Sequence, residues 1–219
     1  MRVHPVLSRE YRRAERLADN CVHIAGIASG LIACAVLAFL ALPTAGLRLA
    51  VSVGLYAGGM MSMLWCSALY NMACEGSFKR ILRRLDHAAI FVMIAGTYTP
   101  FALQVIGPPL DLWLLAFVWT VAAAGVALKL LCPHRFEGLS IVVYLLLGWT
   151  VVAVIDPLLA GISLAGFILL IAGGVLYSIG VVFHLWHRLP YQNAIWHGFV
   201  LAAAACHYAA ILRELVFEI

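Results

Sequence analysis

Six polar side chains stand out in an otherwise apolar chain: Ser67, Asn71, Asp86, His87, Asn193 and His197. Ser67 with Asn71, and Asn193 with His197, are spaced i, i+4, which on a helix places both members of each pair on one face. Carboxylate, imidazole, hydroxyl and amide groups can form ion pairs, bond between helices, or act on a ligand. At membrane depth such groups are costly, so they persist where they pair, line a wet cavity or serve a function. Together they define a candidate site.

The elements that must position them are membrane helices. The chain has 219 residues, 65% hydrophobic and 11% charged, with a mean hydropathy of +1.02, which is too apolar for a soluble globular domain. Apolar runs predict seven spans, at 22–42, 48–72, 85–105, 110–131, 139–155, 161–185 and 193–213, near the ~20 residues a bilayer requires. The fifth is the shortest, but residues 141–155 carry no charge. The expected fold is all-α, a single seven-transmembrane helix bundle over 22–213. A cytoplasmic segment, 1–21, precedes it and a short outer tail, 214–219, follows. Residues 7–19 have the composition of an amphipathic helix lying on the inner leaflet. No cleavable signal peptide is expected, because the first apolar run is long enough to span and lacks a small-residue cleavage site.

Charge gives the orientation. With the N-terminus in the cytoplasm, all but Arg48 and Arg213 of the 14 Lys and Arg residues fall on the inner side, the asymmetry of a multi-pass cell-membrane protein with its C-terminus outside. In a bacterium this would be the inner membrane. The net charge of +4 is thus a topology signal, and no soluble basic face remains to follow a nucleic acid. In this frame Ser67 and Asn71 end span two, Asp86 and His87 open span three, and Asn193 and His197 open span seven, all at one membrane level. Three helices can aim polar atoms at a shared point.

The remaining signals are structural. Cys21, Cys34, Cys66, Cys74, Cys132 and Cys206 contain no C-x-x-C pair, and their positions predict free thiols packing as small hydrophobes, with Cys21 or Cys74 the ones near enough to the inner surface to assist a soft metal. Pro43 with Gly46, Gly107 with Pro108 and Pro109, and Asp156 with Pro157 are read as outer turns, and Pro133 and Pro190 as inner ones. Small-residue runs at 57–59, 172–174 and 202–205 permit close helix packing.

The segments S-A-L-Y-N at 67–71, L-D-H-A-A-I-F-V-M-I-A-G-T-Y-T-P-F at 85–101 and Y-Q-N-A-I-W-H-G-F-V-L-A-A-A-A-C-H at 191–207 resemble the haemolysin III family of the progestin and adipoQ receptor superfamily. A-E-R-L-A-D-N-C-V-H at 14–23 and H-R-F at 134–136 extend the resemblance across nearly the whole chain. It implies a seven-helix bundle with zinc near the cytoplasmic face, held by three histidines at the positions of Asn71, Asn193 and His197. It also implies that Asp86 positions a metal-bound water with Ser67 nearby, an arrangement resembling a hydrolase centre.

This sequence departs from that pattern at two of the three ligand positions, which are Asn71 and Asn193. A neutral amide oxygen is a far poorer zinc ligand than imidazole nitrogen, so zinc is expected to bind weakly or not at all. His23, His87 and His207 are accessory candidates, although His87 points about 100° around its helix from Asp86. Each residue also has a structural reading. Asn71 and Asn193 can bridge spans two and seven, and Asp86 can pair with Arg83, Arg84 or His197. His207, about 15 Å deeper along span seven, fits an interhelical hydrogen bond, and His134, His184 and His187 fit the inner interface. The favoured function is a metal-free relative with a degenerate zinc site that binds membrane lipid, a fatty-acyl or sphingolipid-like molecule being the candidate ligand, and influences membrane lipid state. The alternatives are a zinc-dependent intramembrane hydrolase of lipid amides or esters, using Ser67 and Asp86, and a pore-forming cytolysin.

Overall fold

The computed structural model of this chain describes residues 13–132 and 137–217. Among them seven helices are long and apolar enough to cross a membrane: Arg13–Ala41 (α1), Leu47–Met72 (α2), Ser77–Ile106, Leu110–Leu131 (α4), Gly138–Gly161, Leu164–Leu185 (α7) and Gln192–Phe217. The third span is an α-helix, Ser77–Pro100 (α3), closed by a π-helical turn over Phe101–Ile106. The fifth is composite: Glu137–Gly148 (α5), a 3-10 stretch over Trp149–Val154, then Ile155–Gly161 (α6). The seventh is Gln192–Leu212 (α8) with a π-helical end, Arg213–Phe217. The all-helical, multi-pass membrane architecture agrees with the sequence expectation.

Several boundaries differ from it: the first span starts at Arg13 rather than 22, the third at Ser77 rather than 85, and the fifth runs to Gly161 rather than 155. Asp156 and Pro157 do not form a turn; they lie in the first turn of α6, where a proline lacks only a hydrogen bond that the helix start would not make. The chain reverses instead at Ile162 and Ser163, where the Ser163 hydroxyl accepts from the Gly166 amide at 3.0 Å and caps α7, so the sixth span starts at Leu164. The last span runs to Phe217, making residues 214–217 helical. Of the amphipathic helix expected over 7–19, only 13–19 falls among the described residues, and it is continuous with α1. Pro133 and the H-R-F segment at 134–136 lie outside them.

Helix α3 is the most enclosed span, packed between α2 and α4 and touching α5. Small residues make this approach physical. A Cβ on Gly59 would stand 3.0 Å from the Val92 carbonyl oxygen, and one on Gly96 would stand 2.8 Å from the Leu55 carbonyl oxygen, so the two backbones meet with no room for a side chain. Leu37, Tyr56, Met60, Met93, Phe101 and Leu158 fill one buried cluster, and Phe91, Tyr98, Val118 and Leu147 fill a second around α4. Helix α1 packs on α2 on one side and on α8 on the other, and α8 in turn packs on α7. First and last spans are therefore neighbours.

In lipid, every backbone group freed by a helix break needs a partner. At the α5 break Tyr98 supplies two: its hydroxyl donates to the Gly148 carbonyl at 2.7 Å and accepts from the Val151 amide at 2.8 Å. The Trp149 indole donates to Ser178 on α7 at 3.0 Å. At one end of the bundle Asp111, fully buried, pairs with Arg48, and Glu214 accepts from the Ser163 hydroxyl at 2.6 Å and the Ser163 amide at 3.2 Å. The other end carries Lys79, Arg80, Arg83 and Arg84 at the start of α3 and is called the basic end below. There Lys79 bonds Glu75 at 2.8 Å and holds its carboxyl below the usual range.

Candidate functional site

The basic end gathers polar side chains from four helices. Helix α8 enters through Tyr191, whose left-handed backbone (φ 58) ends the reversal from α7, while the Gln192 amide donates to the His184 carbonyl at 2.7 Å. That entry places His197 two turns into α8, against α1. The His197 Nδ1–H donates to Asp19 Oδ1 at 2.6 Å. Asp19 and His23 are spaced i, i+4 on α1, with His23 Nε2 3.7 Å from Asp19 Oδ2, beyond hydrogen-bond reach. The His23 and His197 rings lie with centroids 4.3 Å apart. Asp19 and His23 are 3% and 6% exposed, so a carboxylate and an imidazole are both taken out of solvent at one point.

Asp86 and Ser67 adjoin this group. The Ser67 hydroxyl faces the Asp86 carboxylate, and His197, His23 and Arg83 are near enough to act on it electrostatically. The expected convergence of α2, α3 and α8 through Ser67, Asp86 and His197 is thus present, and α1 joins it. His87, expected as an accessory, is not part of the group. Its carbonyl accepts from the Tyr144 hydroxyl at 2.7 Å, and its ring lies near Lys129, Arg83 and His184, because one residue along a helix turns the side chain to another face.

Asn71 does not form the expected bridge to Asn193. Its amide donates to the Ser67 carbonyl of its own helix at 3.0 Å, a local bond that orders one turn of α2. Asn193 sits one turn before His197 on α8. The family-type ligand set at 71, 193 and 197 therefore presents one imidazole and two neutral amide oxygens. Those three positions do not fit zinc, and no chemical step follows from a metal held there.

Deeper in the bundle, His207 Nε2–H donates to the Leu170 carbonyl on α7 at 3.1 Å, and its ring lies 5.6 Å from that of Tyr177. This is the interhelical bond its sequence position predicts. A side chain at Gly173 would collide with the His207 ring, so the glycine makes room for the bond. All six cysteines are free thiols.

Between α3, α5, α7 and α8 lies an apolar cavity of about 130 Å³. Met63, Ile90, Met93, Leu145, Leu170 and Ile171 line it, with Thr97, Tyr144, Tyr177, Ser178 and His207 as polar wall groups. Met63 lies one turn from Ser67 on α2, and Ile90 one turn from Asp86 on α3. On both helices the cavity lining thus includes a residue one turn from the polar cluster. Sequence reasoning missed both the cavity and Asp19. The i, i+4 spacing of Asp19 and His23 was the available signal for the latter.

Comparison with known proteins is consistent across the chain. The haemolysin III family profile, described as Haemolysin-III related, matches residues 15–208. A hemolysin-3 homolog of Bacillus subtilis (strain 168) is 41% identical over 162 residues, covering 74% of this chain and 76% of that protein. Hemolysin-3 of Bacillus cereus is 39% identical over 162 residues, covering 74% of each. The human monocyte to macrophage differentiation factor is 29% identical over 175 residues, covering 75% of this chain and 71% of that protein. No solved structure matches.

Proposed function

The chain belongs to the haemolysin III family, and on that premise we propose that it binds a membrane lipid, with part of an acyl chain in the apolar cavity and the polar head at the cluster of Asp19, His23, Ser67, Asp86 and His197. The observation that carries this reading is the join between the two, one helical turn from Ser67 to Met63 and from Asp86 to Ile90. An amphiphile has this distribution of polarity. An apolar cavity of roughly 150 Å³ stays dry and takes a benzene ring, so one of about 130 Å³ suits a few carbons of a chain whose remainder lies in the bilayer. The cluster would face the cytoplasm, as the positive-inside asymmetry of the sequence supports.

Lipid extraction and mass spectrometry of detergent-purified protein test the reading. The expected result is a lipid retained near one per chain and displaced by added fatty acid. Protein that carries no lipid and gains no thermal stability from fatty acid or sphingoid base would sink it.

A second reading, hydrolysis of a bound lipid amide or ester, is favoured by one observation, the pairing of the Ser67 hydroxyl with the half-buried Asp86 carboxylate. In it Asp86 accepts a proton from an attacking water and Ser67 orients the carboxylate. Turnover of a fluorogenic lipid amide or ester should then vanish in Asp86→Ala. Retained turnover in that variant removes Asp86 from the chemistry.

A further inference from the structure

We propose that Asp19, His23 and His197 form a binding site for one zinc-class divalent cation, in which Asp19 and His23 of α1 take the place of the family positions 71 and 193 while His197 of α8 is kept. Such a site does not depend on a bound lipid. One ligand atom from each of the three residues lies within 4.8 Å of the other two, which is the only such group of His, Cys, Asp and Glu among the described residues. Zinc bonds of about 2.0–2.2 Å to nitrogen and oxygen set tetrahedral ligand atoms roughly 3.4 Å apart. The Asp19–His197 pair at 2.6 Å opens slightly and the widest pair closes, both within the reach of side-chain rotation.

The second observation is an orphaned atom. His23 Nε2 is buried and has no hydrogen-bond partner, although the ring is 6% exposed. A buried polar atom without a protein partner is uncommon in native structures, and an ion or a water is among the partners that such an atom takes. Here the nitrogen faces a carboxylate from 3.7 Å, too far to bond and at a separation a bridging cation would close. Two imidazoles and a carboxylate form a familiar three-ligand zinc set that leaves a fourth position open. Asp86, with the Ser67 hydroxyl against its carboxylate, is near enough to His197 and His23 to feel both electrostatically. On metal entry the proton shared by His197 Nδ1 and Asp19 Oδ1 leaves to solvent, because a ligating imidazole nitrogen must carry its lone pair. The same three side chains thus exist as a proton-bridged pair beside a lone histidine, or as a metal centre.

The test is elemental analysis of the untagged full chain, purified in detergent, dialysed against zinc and then against metal-free buffer. About one zinc per chain is expected. His23→Gln and Asp19→Asn should each weaken retention by at least about tenfold, the lower bound set by losses on removing groups that only support ligands. Asn71→Ala and Asn193→Ala should retain it. Because buried substitutions can impair folding, the wild-type chain is also titrated with cobalt(II), where intense visible d–d bands abolished by zinc report a tetrahedral nitrogen and oxygen site. Wild-type protein that binds neither metal overturns the proposal. So does zinc that survives in His23→Gln and Asp19→Asn but is lost in Asn71→Ala or Asn193→Ala, which would return the metal to the family positions.

Discussion

Filling the cavity from the protein side should do what a lipid tail does, and Gly174 on α7 is the place to do it. Gly174 lines the cavity, and a Cβ built there meets the Trp149 ring at 3.5 Å, an ordinary contact, so a side chain can start without strain. Gly174→Leu adds four carbons, roughly 100 Å³ at interior packing density, against a void of about 130 Å³. Gly174→Ala is the control, since it carries the same gain in helix propensity with one carbon. The three-carbon difference, roughly 75 Å³ at interior density, is worth about 2 kcal/mol at about 24 cal/mol per Å³ of cavity. Filling the entire void would give about 3 kcal/mol on the same scale, which bounds what a tail gains there to an affinity factor of order 10². Unfolding in mixed micelles, followed by tryptophan fluorescence, reads the stability, and mass spectrometry reads retained lipid. Gly174→Leu should exceed Gly174→Ala by 1–2 kcal/mol and lose the lipid that Gly174→Ala keeps. A leucine variant no more stable than the alanine variant, with its lipid intact, would refute the assignment of this cavity to a tail.

Other parts of the bundle give further expectations. Glu214→Ala removes the acceptor of two Ser163 bonds and should cost about 3 kcal/mol, at 1.5–3 kcal/mol per bond to a charged group, whereas Glu214→Gln should recover part; equal micellar stability of both variants and wild type would show that the latch is idle. Tyr98→Phe strands the Gly148 carbonyl and the Val151 amide and should cost about 1–2 kcal/mol, above the ~0.6 kcal/mol typical of a polar contact between membrane helices. Gly96→Ala drives a methyl to 2.8 Å from the Leu55 carbonyl oxygen and should cost about 1–3 kcal/mol by overpacking, while Gly58→Ala, with nothing within 4 Å, should be neutral. Matching losses at positions 58 and 96 would mean that the α2–α3 approach is not what limits Gly96.

Span number and the level of the polar residues were legible because a bilayer imposes a length of ~20 residues and a charge bias, both linear properties of sequence. The start of α1 was not, because Arg13, Glu15 and Arg16 depress hydropathy over its first turns and made Asp19 read as part of a tail. Its contact with His197 depends on α1 and α8 being neighbours, a closure of the bundle that no local pattern encodes. Asn71 shows a different limit. The amide could bridge helices or bond its own turn, and spacing alone does not choose between a partner on α8 and the Ser67 carbonyl. The cavity depends on the break after Gly148, where residues of high apolarity leave the α-helix for a 3-10 stretch whose freed groups are met from another helix.

That closure also has a consequence in time. Asp19 and His197 are 178 residues apart, and at about 5–20 residues per second of synthesis the first helix waits roughly 10–35 s for the last at those rates. During that interval a carboxylate and an imidazole stand in the nascent membrane segment without their α8 partner. A chain cut short before α8 keeps them so indefinitely, at the cost that unpaired polar groups carry in lipid. The arrival of the final helix both completes the bundle and gives the carboxylate its partner.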